Sequence, residues 1–119
     1  MIMISDFLKN FLKGLETAGN FERGDSIKEA IVLMKEEMYE EALEILEDLR
    51  HSPSEKSAQC MVIYLSKAVC YAELDYKRSA LNCINIILDC DRLSLNPFYQ
   101  YALSDIKIKA KEIKEQYKL

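Results

Sequence analysis

The sequence predicts an all-α protein of about six helices. Of its 119 residues only 3 are Gly and 2 are Pro, which leaves little of the turn chemistry that a hairpin-rich sheet protein needs. Apolar residues make up half of the chain and recur at helical spacing almost throughout, and no stretch reads convincingly as a strand. The length fits one domain that spans residues 1–119.

An N-terminal amphipathic helix is predicted within residues 1–19, ending at Gly19-Asn20. Its apolar face carries two pairs of large side chains, Phe7, Leu8, Phe11 and Leu12. Lysines interrupt this stretch, so we expect neither a signal peptide nor a membrane insertion. The four cysteines lack a CxxC pair and are expected to be reduced, buried groups, which favours a cytoplasmic location.

Two helical hairpins are predicted next, at residues 24–53 and 58–91, followed by a closing helix at 96–118. The fourth helix has a strong start signal in residues 52–55, which read Ser-Pro-Ser-Glu. The first Ser can be the N-cap, the Pro fits the first helical position, and the Glu can complete a capping box. Asn96-Pro97 repeats the pattern of a cap followed by proline before the closing helix.

The two hairpins are copies of each other at the level of pattern. Residues 27–49 align with residues 65–87 without a gap. Each copy has two alanines with the same separation, and these pair across the copies as Ala30 with Ala68 and Ala42 with Ala80. Small residues are expected where the two helices of a hairpin cross closely. A half-copy follows in the closing helix, where Ala102 takes the place that Ala68 has in the second copy.

This spacing resembles the tetratricopeptide repeat, a helix-turn-helix unit of about 34 residues. The second copy matches its pattern at Tyr64, Ala68, Tyr71, Ala80, Ile84 and Ile87. Both copies depart from it at the turn, where Glu37 and Asp75 replace the usual Gly. The resemblance implies antiparallel helical hairpins in a right-handed superhelix, with the first helix of each hairpin lining a concave groove.

In that geometry ten mostly apolar residues line the groove: Ile27, Ile31, Met34, Val62, Leu65, Val69, Ala72, Tyr99, Leu103 and Ile106. Hereafter these ten residues are called the predicted groove. The fourth helix is apolar on all sides and must therefore be covered on both of its faces. Two alternatives follow, since either a partner's amphipathic helix covers the groove or the N-terminal helix folds back and fills it.

The chain also looks like the tetratricopeptide-like chaperones of type III secretion that guard the needle subunit. The likeness lies in size and order, with EAIVLMKEEMYEEALEIL at residues 29–46 between the Gly19-Asn20 turn and an aromatic-rich second hairpin. The resemblance implies that an amphipathic helix of a small secreted client lies in the groove. It also implies a second small helical cochaperone at the N-terminal helix, in contact with Phe7, Leu8, Phe11 and Leu12.

The residue types favour a binding protein over an enzyme. His51 is the only histidine, so we predict no catalytic constellation, no metal site and no cofactor. A net charge of −4 without a basic face argues against nucleic-acid binding. The predicted function is a small cytoplasmic chaperone that holds a client helix. The alternative is a general repeat adaptor or a self-associating scaffold in an unrelated complex.

Overall fold

The computed structural model describes residues 4–17, 24–49, 57–91 and 100–119, and these residues form six helices with no strand. The helices are α1 (Ile4–Thr17), α2 (Gly24–Lys35), α3 (Tyr39–Asp48), α4 (Ala58–Glu73), α5 (Lys77–Leu88) and α6 (Gln100–Gln116). The prediction of an all-α protein with about six helices is confirmed. Helices α2 and α3 pack together as one hairpin, and α4 and α5 pack together as the next.

Both hairpins turn in the same way. Glu37 and Asp75 adopt the left-handed conformation, with φ of 61° and 67°. The following residue then donates its backbone N–H to a carbonyl five residues back, from Met38 to Leu33 and from Tyr76 to Tyr71, at 2.8 Å each. This is the Schellman arrangement that usually ends on Gly. The turns therefore keep the geometry of a glycine turn although the residue there is acidic.

The crossing of the two helices in each hairpin depends on the four paired alanines. Ala30, Ala42, Ala68 and Ala80 are all fully buried. Each pair of helices can approach closely because a methyl group is the largest side chain at the crossing. Helix α3 begins at Tyr39 and α5 begins at Lys77, and these two residues occupy equivalent positions in the aligned copies.

Helix α4 is the centre of the core. It contacts the other five helices, most extensively α5 and α3. Eleven of its residues are buried, including the polar side chains of Gln59 and Ser66. The Ser66 hydroxyl donates a hydrogen bond of 2.8 Å to the Val62 carbonyl one turn earlier, which satisfies the buried donor. The requirement that an all-apolar helix be covered on both faces is met within the chain.

The observed helix starts differ from the predicted ones in detail. Helix α4 begins at Ala58, and the hydroxyl oxygen of Ser57 accepts a hydrogen bond of 3.2 Å from the backbone N–H of Cys60. This N-cap takes the place that the sequence assigned to the Ser-Pro-Ser-Glu signal at 52–55, which lies outside the described residues. The predicted signals at Gly19-Asn20 and Asn96-Pro97 also lie outside them.

We expect Glu37→Gly to raise the free energy of unfolding by roughly 0.5–1 kcal/mol, because Gly removes the steric cost of a positive φ. Asp75→Gly should raise the free energy of unfolding by less, since Asp adopts a positive φ at a lower cost than Glu does. Urea denaturation of purified variants measures both effects. Glu36→Gly is the control at a neighbouring residue with negative φ, and it should lose stability. If Glu37→Gly lowers the free energy of unfolding as much as Glu36→Gly does, the left-handed turn geometry at Glu37 is wrong.

Candidate functional site

The predicted groove forms one continuous surface in the fold, and that surface is buried. Eight of its residues are at most 5% exposed: Ile27, Ile31, Met34, Val62, Leu65, Val69, Leu103 and Ile106. Ala72 is half-buried, and Tyr99 lies outside the described residues. These side chains share one face because their spacing within α2, α4 and α6 is three or four residues.

Helix α1 covers this surface. It packs on both α2 and α4, and its Leu8 and Leu12 side chains are fully buried. The polar residues Asp6, Lys9 and Asn10 on its outer face stay exposed. Of the two alternatives that the sequence left open for the free chain, the structure shows the N-terminal helix on the groove.

Helix α1 also contacts α6 through its first two turns. Ile4, at the start of α1, shares a cavity wall with Lys109, Gln116 and Tyr117 in the second half of α6 and just after it. One turn further along α1, the Phe7 ring lies under Lys109, whose Nζ is 5.5 Å from the ring centroid. The first two turns of α1 therefore lie beside the second half of α6.

The four residues predicted to contact a cochaperone divide into two pairs. Leu8 and Leu12 point into the core, as just described. Phe7 and Phe11 are half-buried and stack on each other, with ring centroids 6.0 Å apart and planes inclined by 30°. Contact with a second protein at these four residues stays a prediction. In this structure only the two rings present surface to such a partner.

Two cavities flank α1. One of about 590 Å³ lies where Ile4 and Val69 meet the C-terminal part of α6. The other, of about 420 Å³, lies between α1 and α2 and has apolar and cationic walls: Leu12, Ile31, Val32, Lys9, Lys28 and Lys35, together with Asp6. Both cavities open to solvent, so they are clefts beside α1, whose Leu8 and Leu12 side chains are fully buried.

Tyrosine–glutamate hydrogen bonds fasten two helices, α3 and α6, to α4. The Tyr71 hydroxyl donates to a Glu47 carboxylate oxygen at 2.8 Å and joins α4 to α3. The Tyr117 hydroxyl donates to Glu73 at 2.5 Å and joins the end of α6 to the end of α4. Burial raises the pKa of both tyrosines, and the hydrogen bond to the carboxylate raises it further.

The four cysteines are free and buried, as predicted. Burial raises the pKa of the Cys70 thiol to about 12 and that of Cys83 to about 11. The carboxylate of Glu73 adds to the rise at Cys70, whereas Lys67 opposes it at Cys83. Such thiols are poor nucleophiles near neutral pH because the reactive form is the thiolate. They act as small apolar groups of the core.

Two further features, metal-binding groups and membrane-spanning helices, are absent from the part of the chain that the structure describes. Within it, no group of three or more His, Cys, Asp and Glu side chains is placed to hold a metal ion. None of the six helices has the length and apolar character needed to cross a membrane.

No family model, curated protein or solved structure matches this chain. The fold therefore gives only the structural class. The described residues form a small all-α protein with two like helical hairpins and two further helices. The likeness to tetratricopeptide repeats and to type III secretion chaperones stays a prediction from the sequence.

The buried thiols predict a loss of stability at alkaline pH. The pKa of Cys70 is higher in the folded chain than in the unfolded chain, so the unfolded thiol ionises first, above about pH 8.5. The unfolded state then binds fewer protons, and the free energy of unfolding falls as the pH rises toward the folded pKa near 12. Each such thiol contributes up to ~1.4 kcal/mol per pH unit.

Urea denaturation at several pH values between roughly 7.5 and 10.5, a range that spans the pKa of the unfolded thiol, measures this slope. Cys70→Ala should flatten it. Met61→Ala is the control, since it removes a buried side chain that does not titrate and should lower stability equally at every pH. If the free energy of unfolding falls with pH equally steeply in the wild type and in Cys70→Ala, the prediction is wrong.

Proposed function

We propose that this chain is a non-enzymatic protein-binding module that holds one amphipathic helix of a client protein against α2, α4 and α6. One observation carries the proposal. The surface of these three helices already accepts an amphipathic helix, α1, and buries Leu8 and Leu12 completely. A surface that accepts one such helix has the shape and polarity to accept another.

Recognition at this surface is apolar. The residues beneath α1 are aliphatic, and the buried part of the predicted groove contains no charged side chain among the described residues. Each fully buried Leu-sized anchor contributes roughly 1.5–3 kcal/mol. Three anchors then give a gross gain of about 5–9 kcal/mol, from which the cost of ordering the client is subtracted. Because these costs are subtracted, micromolar binding, about −8 kcal/mol, requires a client helix with more than three large anchors.

The finer identity that we propose is a tetratricopeptide-like chaperone. Two like hairpins that align without a gap, the shared turn geometry and a following helix support it. The resemblance to the chaperones of type III secretion suggests a cytoplasmic protein, a small secreted needle-type subunit as client and a second helical cochaperone. With α1 on the groove, the free chain does not expose a large apolar patch there, which lowers the risk of aggregation before a client arrives.

Selection of peptides tests the proposal. A library of amphipathic helices displayed on phage is screened against the full-length chain, and the enriched peptides are synthesised and titrated. We expect enriched sequences with large apolar residues three or four positions apart, which bind with one peptide per chain. Enrichment of sequences that do not form helices would contradict the proposal and favour a general adaptor or scaffold.

A pair of matched variants locates the binding site. Ala72 is half-buried and belongs to the predicted groove, whereas Ile108 is 52% exposed and lies outside that set. Ala72→Arg should weaken binding of the selected peptides at least ~10-fold, a loss of about 1.4 kcal/mol. Ile108→Arg should leave the affinity nearly unchanged. If Ala72→Arg leaves the titration unchanged, the client helix does not lie on this surface.

A further inference from the structure

We propose that α1 is a displaceable internal ligand, which occupies the client surface in the free chain and leaves it when a client helix binds. The inference rests on the proposed function, because it concerns the same surface. It adds the class of client that this surface selects and the step that controls access to the site.

Few side chains hold the part of α1 whose side chains the structure describes, residues 4 and 6–13. In this part Leu8 and Leu12 are fully buried, and the apolar Ile4, Phe7 and Phe11 are half-buried. Helix α4 buries eleven residues and contacts five other helices. An element with few buried apolar contacts opens at a lower free energy than the core around it. Helix α1 is therefore able to leave while α4 and its neighbours stay folded.

Two clefts that open to solvent lie beside α1, one of about 590 Å³ at Ile4 and one of about 420 Å³ at Leu12. A client helix with larger or longer apolar side chains at these two places would extend into the clefts and gain dispersion contacts with their walls. Such a helix has an advantage over α1 on the same surface.

The contact of α1 with α6 is one that α6 can lose without leaving its lysine unpaired. The Phe7 ring lies under Lys109, and the same lysine pairs with Glu112 at 3.0 Å. Lys109 thus keeps an ionic partner on its own helix when α1 departs.

The sequence of α1 defines the competing client. Residues 6–12 read DFLKNFL, with apolar pairs four residues apart and a polar opposite face. The inferred client is an amphipathic helix with the same paired spacing, bound on the surface that α1 occupies. Its apolar side chains are expected to exceed Ile4 and Leu12 in size at the positions that face the two cavities.

The test uses the full-length chain and a synthetic peptide of residues 1–19 carrying a fluorophore. The variant Leu8→Glu/Leu12→Glu places two carboxylates where α1 is buried and should release α1 from the surface. Lys9→Gln/Asn10→Glu is the control, because it changes the net charge by the same −2 on the exposed face of α1. We expect the peptide to bind the first variant at least ~10-fold more tightly than it binds the wild type or the control.

Hydrogen exchange of the wild-type chain gives a second readout that does not depend on the folding of any variant. The backbone amides of α1 should exchange at least ~10-fold faster than those of α4, since α1 opens alone. Equal exchange in α1 and α4 would mean that α1 leaves only on global unfolding and would overturn the inference. Equal peptide binding by all three chains would overturn it as well.

The outcomes separate this inference from the proposed function. If phage-selected helices bind the wild type and Leu8→Glu/Leu12→Glu with equal affinity, α1 does not compete with the client and only the inference fails. If neither the selected helices nor the peptide of residues 1–19 binds the folded double variant, the surface does not accept helices. In that case both proposals fail.

Discussion

The structure depends on the burial of α4 from both sides. Its sequence, from Ala58 to Glu73, has apolar residues around its whole circumference, and a helix of this kind is stable in a small protein only when other helices enclose it. Its hairpin partner α5 and helix α3 of the first hairpin enclose part of this circumference. Helices α1, α2 and α6 also contact α4 and complete the enclosure.

Under the proposed function, the same requirement explains how a protein with an apolar binding surface exists without a client. An open groove of aliphatic side chains would lead to association between chains. Helix α1 offers a cover that needs no second protein, and among its described side chains Leu8 and Leu12 are the fully buried ones. The proposed cover multiplies the intrinsic affinity for a client by the fraction of chains in which the cover is open, and it sets a minimum size for the client's anchors.

The sequence allowed most of the architecture to be predicted, because helix periodicity and the paired alanines depend on local spacing. It also indicated the unusual turns, since Glu37 and Asp75 stand where the repeat has Gly. Periodicity identified the apolar face of α1 but not the surface on which that face packs. The Tyr71–Glu47 hydrogen bond joins residues 24 positions apart on different helices, so no spacing rule could reveal it.

The central claim is that α1 and the client occupy the same surface in turn. The most direct test is the distance between α1 and α6 in solution, measured by energy transfer between dyes at the exposed Asn10 and at the exposed Ile108. The account predicts one short distance in the free chain and a second, longer one that grows with added phage-selected helix until it saturates. A single short distance at saturating peptide would contradict the account.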